Sequence, residues 1–320
     1  MCSSDLAAGA SFAGSAANNA GRSAGGGGGT NRAGGAPAGR ASTVDSSTAV
    51  SMVGKVPARR AYSALRMQVE HVQSPDDPRL ASYVQVRDRD ARGADGRPGL
   101  FIGESPLVIA AMLRSGVEVI SILTAGRHAA RAVAMVEESR PRRSGLAEPV
   151  VLVADESILN ATVGFDIHRG FLAVGRRPAE RNVADVVPAP GVDATILLVE
   201  EINNIDNIGQ LFRNAAAFGC AAVLLSPGCH DPLYRKSLRV SCGCALQVPF
   251  ARSVDWAGDL AHVRAAGFML VGAAGGAERT LREVAEECAA RTPRRTAVVV
   301  GAEFAGLSAT TLAEIGRAHV

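Results

Sequence analysis

From residue 99 to residue 300 the chain alternates between short, near-continuous Val/Leu/Ile runs and longer segments of helical periodicity. No other feature restricts the fold as strongly. Apolar runs without in–out alternation suit strands covered on both faces, and consecutive β–α units supply that cover. In the first half, "GLFIGES" (99–105) reads as a strand and turn, and "PLVIAAMLRSG" (106–116) as a helix with proline at its first position and a glycine stop. "VEVISILTA" (117–125), "PVVLVA" (149–154) and "GFLAVGRRP" (170–178) read as strands. Helices at 127–139 and 155–164 fall between them. The proline-containing segment 179–194 reads as a linker.

The second half repeats the alternation. Strands are predicted at 195–202, 221–227, 245–251, 268–274 and from 296 into a glycine-punctuated loop ending at 308. Helices are predicted from 203 to 219, and over 231–243, 256–267 and 280–290. The 231–243 helix is expected to start with an Asp cap and a proline. The expectation is an α/β protein with a parallel sheet in its second half.

Composition narrows the class. A length of 320 residues suffices for two domains, and an apolar fraction of 47% supports a sizeable core. A net charge of +3 is too mild to prove a polyanionic partner, although all 34 basic residues except Lys55 and Lys236 are arginine. Arginine is the better fork for phosphate. Aromatics are only 4% of the chain, which argues against wide sequence reading of single strands by base stacking. The six cysteines lack paired zinc-knuckle spacing, so thiols in a reducing cytosol are expected and no metal site. No apolar run approaches the roughly 20 residues of a membrane span, and no secretory signal opens the chain.

Residues 1–62 form a low-complexity Ala/Gly/Ser/Arg leader with five glycines at 25–29. Such composition cannot offset its ordering entropy. A disordered or untranslated leader is the favoured reading, with a native start at Met52 or Met67. An organelle transit peptide is the weaker one, so the expected location is cytoplasmic, with mitochondrion or plastid as the alternative. "CSSDL" (2–6) and "EIGRAHV" (314–320) look like translated sequencing adapter, which makes the chain an assembly fragment in this reading.

Three stretches carry candidate chemistry. In "NNIDNIGQLFRNAAAFG" (203–219), Asp and Asn residues can cap a helix whose apolar stripe holds Ile208, Leu211, Phe212, Ala215 and Ala216. Gly209 and Arg213, four apart, share another face. Gly209 is read as allowing close ligand approach, and the helix start as an anion site at the sheet's carboxyl edge. An ordinary capped helix with a surface arginine explains the spacing equally well. In "VVVGAEFAGLS" (298–308), Gly301 and Gly306 flank Glu303, without the signatures of a P-loop or dinucleotide fold. In "DPLYRKSLRVSCG" (231–243), Arg235, Lys236 and Arg239 make a cationic face for phosphate contact, or a solvated face. "DIHRG" (166–170) and Arg176–Arg177 add positive charge in the first half.

Taken in order, "EEINNIDNIGQLFRNAAAFG", "DPLYRKSLRVSCG" and "VVVGAEFAGLS" resemble the SpoU-type (TrmH-like) RNA 2′-O-ribose methyltransferases of the trefoil-knot SPOUT superfamily, over roughly 195–312. The resemblance implies a SPOUT-type parallel sheet with a C-terminal trefoil knot at 195–313. Residues 67–178 look like the small α/β substrate-binding domain that precedes it in many members. It implies S-adenosylmethionine as cofactor, structured ribosomal or transfer RNA as substrate, and a homodimer. Asn207 and Arg213 match the first motif; Gly301 and Glu303 match the second. Arg213, Asn207 and Glu303 are thereby the catalytic candidates. Gly301, Glu303, Gly306 and Leu225 are the cofactor-binding candidates, and Arg235, Lys236, Arg239, His168 and Arg169 the RNA-binding ones. The third motif, a Pro-Met-like turn and a Ser-Leu-Asn-type helix start, is missing, and adapter-like residues stand in its place. A non-catalytic RNA-binding module is therefore the competing reading.

Overall fold

The computed structural model describes residues 67–84, 99–143, 145–163, 170–274, 277 and 279–316. The leader and the RNA-binding candidates His168 and Arg169 lie outside the described residues.

The first half holds strands β1 (Val69–His71), β2 (Leu100–Glu104), β3 (Val119–Ala125), β4 (Val150–Ala154) and β5 (Phe171–Arg176) in the order β1-β4-β3-β5-β2. Its helices are α1 (Pro106–Arg114), α2 (Ala129–Ser139) and α3 (Glu156–Val163). β1, β4 and β3 pair in parallel, whereas β5 runs antiparallel to both β3 and β2. The strand β1 was not predicted. Three residues with polar Glu70 and His71 among them give no apolar run to read.

The second half carries β6 (Ala194–Val199), β7 (Ala222–Leu225), β8 (Phe250–Arg252), β9 (Met269–Gly272) and β10 (Arg295–Val300), ordered β8-β7-β6-β10-β9 and parallel throughout. Helices α4 (Val183–Val186), α5 (Ile205–Ala217), α6 (Arg235–Val240), α7 (Trp256–Ala265), α8 (Leu281–Ala290) and α9 (Ala309–Ile315) precede, connect or follow the strands. Strand β6 shows why a continuous apolar run means a doubly covered sheet. Leu197 and Val199 face the α5 side, while Ile196 and Leu198 face the α7 side, and all four are buried. Each such side chain contributes about 1.5–3 kcal/mol by leaving water.

Three expectations change. The segment 179–194 is no free linker: Asn182 and Asp185 close a capping box on α4, and Val183 and Val186 are buried in the core of the second sheet. The helix predicted at 231–243 shrinks to α6, and Asp231 accepts the Leu233 amide (2.9 Å) in a turn ahead of it instead of capping it. The strand predicted at 245–251 begins only at Phe250, because residues 244–246 form a 3-10 turn after Gly243 in its left-handed conformation. Besides α4, a second unpredicted helix, α9, is capped by Ser308, whose hydroxyl accepts the Thr311 amide (3.2 Å). Its Ile315 is buried, and a Cβ at Gly272 would lie 2.6 Å from the Ile315 Cδ1.

One apolar core runs through both halves, joining Phe101, Val108 and Met112 to Leu233, Leu238 and Val248. Polar contacts reinforce it. Arg239 donates to both oxygens of the buried Glu104 (2.9 and 3.2 Å), and Arg177 pairs with the buried Asp231.

Candidate active site at the carboxyl edge of the second sheet

Three loops leave the carboxyl ends of β6, β7 and β10 side by side, because those strands are parallel neighbours. The β6 loop launches α5. Asn204 caps that helix, its Oδ1 accepting the amides of Asp206 (2.9 Å) and Asn207 (3.2 Å). This satisfies two of the donors that a helix start otherwise leaves open.

The loop after β10 is a tight turn. The Gly306 amide donates to the Ala302 carbonyl (2.9 Å), and Gly306 has φ +66°. A Cβ on Gly301 would sit 2.2 Å from the Gly306 carbonyl oxygen, so only glycine allows the turn to fold back on the strand end. Glu303 and Phe304 at its tip are exposed. The Asn207 side-chain amide donates to the Glu303 carboxylate, joining the first candidate stretch to the second across 96 residues of sequence.

The loop after β7 is held from two sides. Glu201, itself in a left-handed conformation (φ +52°), accepts the Ser226 hydroxyl (2.7 Å) and the Gly228 amide (3.2 Å). From β8, the Arg252 guanidinium donates to the carbonyls of Ser226, Pro227, Cys229 and His230 at 2.6–3.3 Å.

Arg213 is exposed, and no hydrogen bond or ion pair holds it among the described residues. Six residues separate it from Asn207, so the two side chains leave α5 about 120° apart. Asn207 looks toward the β10 loop. Arg213 looks the other way, within electrostatic reach of Cys244 in the 3-10 turn. The structure thus brings Asn207 and Glu303 together and leaves Arg213 on a different side of the same helix.

Other candidates are placed differently from their expected surroundings. Gly209 packs against α6: a Cβ there would fall 2.6 Å from the Val240 Cβ and 2.7 Å from the Ser237 carbonyl oxygen. Its small size serves helix–helix contact, not ligand approach. Gly209→Ala is expected to destabilise the fold by about 1–3 kcal/mol despite the better helix propensity of alanine, read as a lower urea midpoint. Leu225 is buried in the core, and its carbonyl accepts the Ser253 amide (2.8 Å), so its side chain lines no cleft. The cationic face of α6 is occupied. Arg239 and, at 3.9 Å, Arg235 approach Glu104, and Lys236 pairs with Asp206 (2.8 Å).

Glu200, Glu201 and Arg252 are not among the residues that the sequence alone singles out. The signal for Glu200 was present: a carboxylate directly after an apolar strand sits where charge is costly unless donors meet it, whereas Glu201 is exposed. Nothing in "VPFARS" (248–253) distinguishes Arg252 from a surface arginine.

Residues 194–318 match the model of the SpoU rRNA Methylase family. A Mycobacterium bovis protein named as an uncharacterized tRNA/rRNA methyltransferase is 35% identical over 252 residues, covering 77% of this chain and 81% of that protein. The 23S rRNA (guanosine-2′-O-)-methyltransferase RlmB of Vibrio vulnificus is 29% identical over 147 residues, 45% of this chain and 57% of that protein. Among solved structures, the AdoMet-bound rRNA methyltransferase of Sinorhizobium meliloti shares the fold with TM-score 0.59 at 21% identity, over 79% of this chain and 88% of that one.

Proposed function

The chain belongs to the SpoU rRNA methylase family, and from that premise we propose that it transfers a methyl group from S-adenosylmethionine to a ribose 2′-hydroxyl of ribosomal or transfer RNA. The Asn207–Glu303 hydrogen bond carries the reading for this chain, because it assembles the two motif stretches into one edge site.

The donor set suits the cofactor. The 301–306 turn offers exposed backbone for hydrogen bonding, Glu303 an anion for a cationic group, and Phe304 an apolar face. When bound, S-adenosylmethionine supplies an electrophilic sulfonium methyl. The protein would then orient the ribose hydroxyl in line, with the hydroxyl proton passing to solvent water. A guanidinium is a fixed cation and a poor base, so the part of Arg213 is to stabilise the developing alkoxide and anchor a neighbouring phosphate. Asn207 orients the ribose or the arginine, and Glu303 holds the cofactor loop.

Arg213 diverges from Asn207 within one chain, so the site is completed in a homodimer, where a second copy presents its exposed Arg213 to the cleft. No described helix is long and apolar enough to cross a membrane. The test is incubation of the chain with methyl-labelled S-adenosylmethionine and deproteinised ribosomal and transfer RNA. Ribose methylation is mapped by resistance to alkaline cleavage. Labelled 2′-O-methyl nucleotides are expected. RNA binding without any incorporation would replace the enzyme by the non-catalytic module.

A further inference from the structure

Glu200 follows the last residue of β6 and is buried, yet its carboxylate meets four donors from two distant segments. Oε1 accepts the Ser308 hydroxyl (2.6 Å), the Thr311 hydroxyl (2.6 Å) and the Trp256 indole N–H (3.0 Å). Oε2 accepts the Ser308 amide (2.9 Å). Both Ser308 and Thr311 lie at the start of α9, directly behind the 301–306 turn, and Trp256 opens α7.

We infer that Glu200 is a positioning residue for the turn carrying Gly301, Glu303 and Gly306. The turn is anchored at its front by β10, which pairs with β6, and at its back by Ser308 on Glu200. Both anchors belong to the β6 end, which also launches α5 and Asn207. The carboxylate therefore sets the distance over which Asn207 reaches Glu303. Four hydrogen bonds converge on this one carboxylate. A neutral amide at this place would turn a donor toward groups that are themselves donors. The functional part of the inference, that this turn receives S-adenosylmethionine, rests on the activity proposed above.

Glu200→Gln in the full chain tests it, with Ser308→Ala and Thr311→Val as variants that remove one donor each if the first does not fold. Amide hydrogen exchange is expected to quicken across 302–312 while the amides of β6 and α5 keep their protection. Calorimetric titration with S-adenosylmethionine is expected to show about a tenfold weaker Kd. In turnover, KM for the cofactor rises by a similar factor while kcat at saturation changes little. Unchanged exchange at 302–308 overturns the inference. So does exchange quickening evenly through the sheet, which marks a carboxylate that merely supports the fold. Local quickening in a chain whose wild type binds no S-adenosylmethionine upholds the positioning role and removes the methyl-donor reading instead.

Discussion

Arg213→Ala is expected to reduce methyl transfer by on the order of 100- to 1,000-fold, the usual loss when one preorganised charge-stabilising donor leaves a site. Stability and cofactor affinity should not follow. The side chain is exposed and makes no hydrogen bond or ion pair among the described residues, so its removal leaves no buried partner behind. Thermal midpoint and S-adenosylmethionine Kd are therefore expected to match wild type. Arg213→Lys keeps the charge and loses the planar fork, and it should recover only part of the rate. Initial rates with labelled cofactor, beside a calorimetric titration, separate the two effects. Equal losses of rate and cofactor affinity would place Arg213 in the cofactor pocket and end the assignment to the ribose hydroxyl.

Arg295→Ala is expected to cost about 3–5 kcal/mol of stability, close to the cost of removing one member of a buried charged contact. Arg295 is only 1% exposed at the first position of β10. It donates to the carbonyls of Pro188 (2.7 Å), Ala189 (2.8 Å) and Val192 (2.9 Å), and its guanidinium lies 4.1 Å from the Phe268 ring centre. These bonds fasten the 188–192 segment to the sheet; without the cation, three partly buried carbonyls lose their donor. A thermal midpoint about 10 °C lower follows for a chain of this size. Arg295→Met, which restores volume without donors, should stay well below wild type. A midpoint within about 2 °C of wild type in both variants would show that water replaces the guanidinium at no cost. Arg294→Ala is the control: that side chain is exposed on Asp193, and its loss should be small.

The contrast between these neighbours measures what was legible. "TPRRTAVVV" (292–300) announces a strand with a basic lead, and the strand is there. Which arginine is buried depends on the Phe268 ring and on the carbonyls of 188–192, roughly a hundred residues upstream. The same holds at the site. The Asn204 cap and the glycine turn of 301–306 are local, and the short spacings betray them. The use of Arg235 and Arg239 on Glu104 is not local, because it requires the second half to pack against the first. A basic helix face reads identically whether phosphate or a buried carboxylate meets it.

The sequence by itself determined the alternation of strands and helices, the parallel character of the second sheet and the family, because strand burial and motif spacing are written in neighbouring residues. Only the tertiary structure decided that Gly209 serves helix packing, that the 179–194 segment is welded to the core, and that Asn207 meets Glu303 while Arg213 faces away. Those outcomes depend on the angle at which each side chain leaves its element and on what the rest of the chain places opposite it, and neither is encoded within any one stretch.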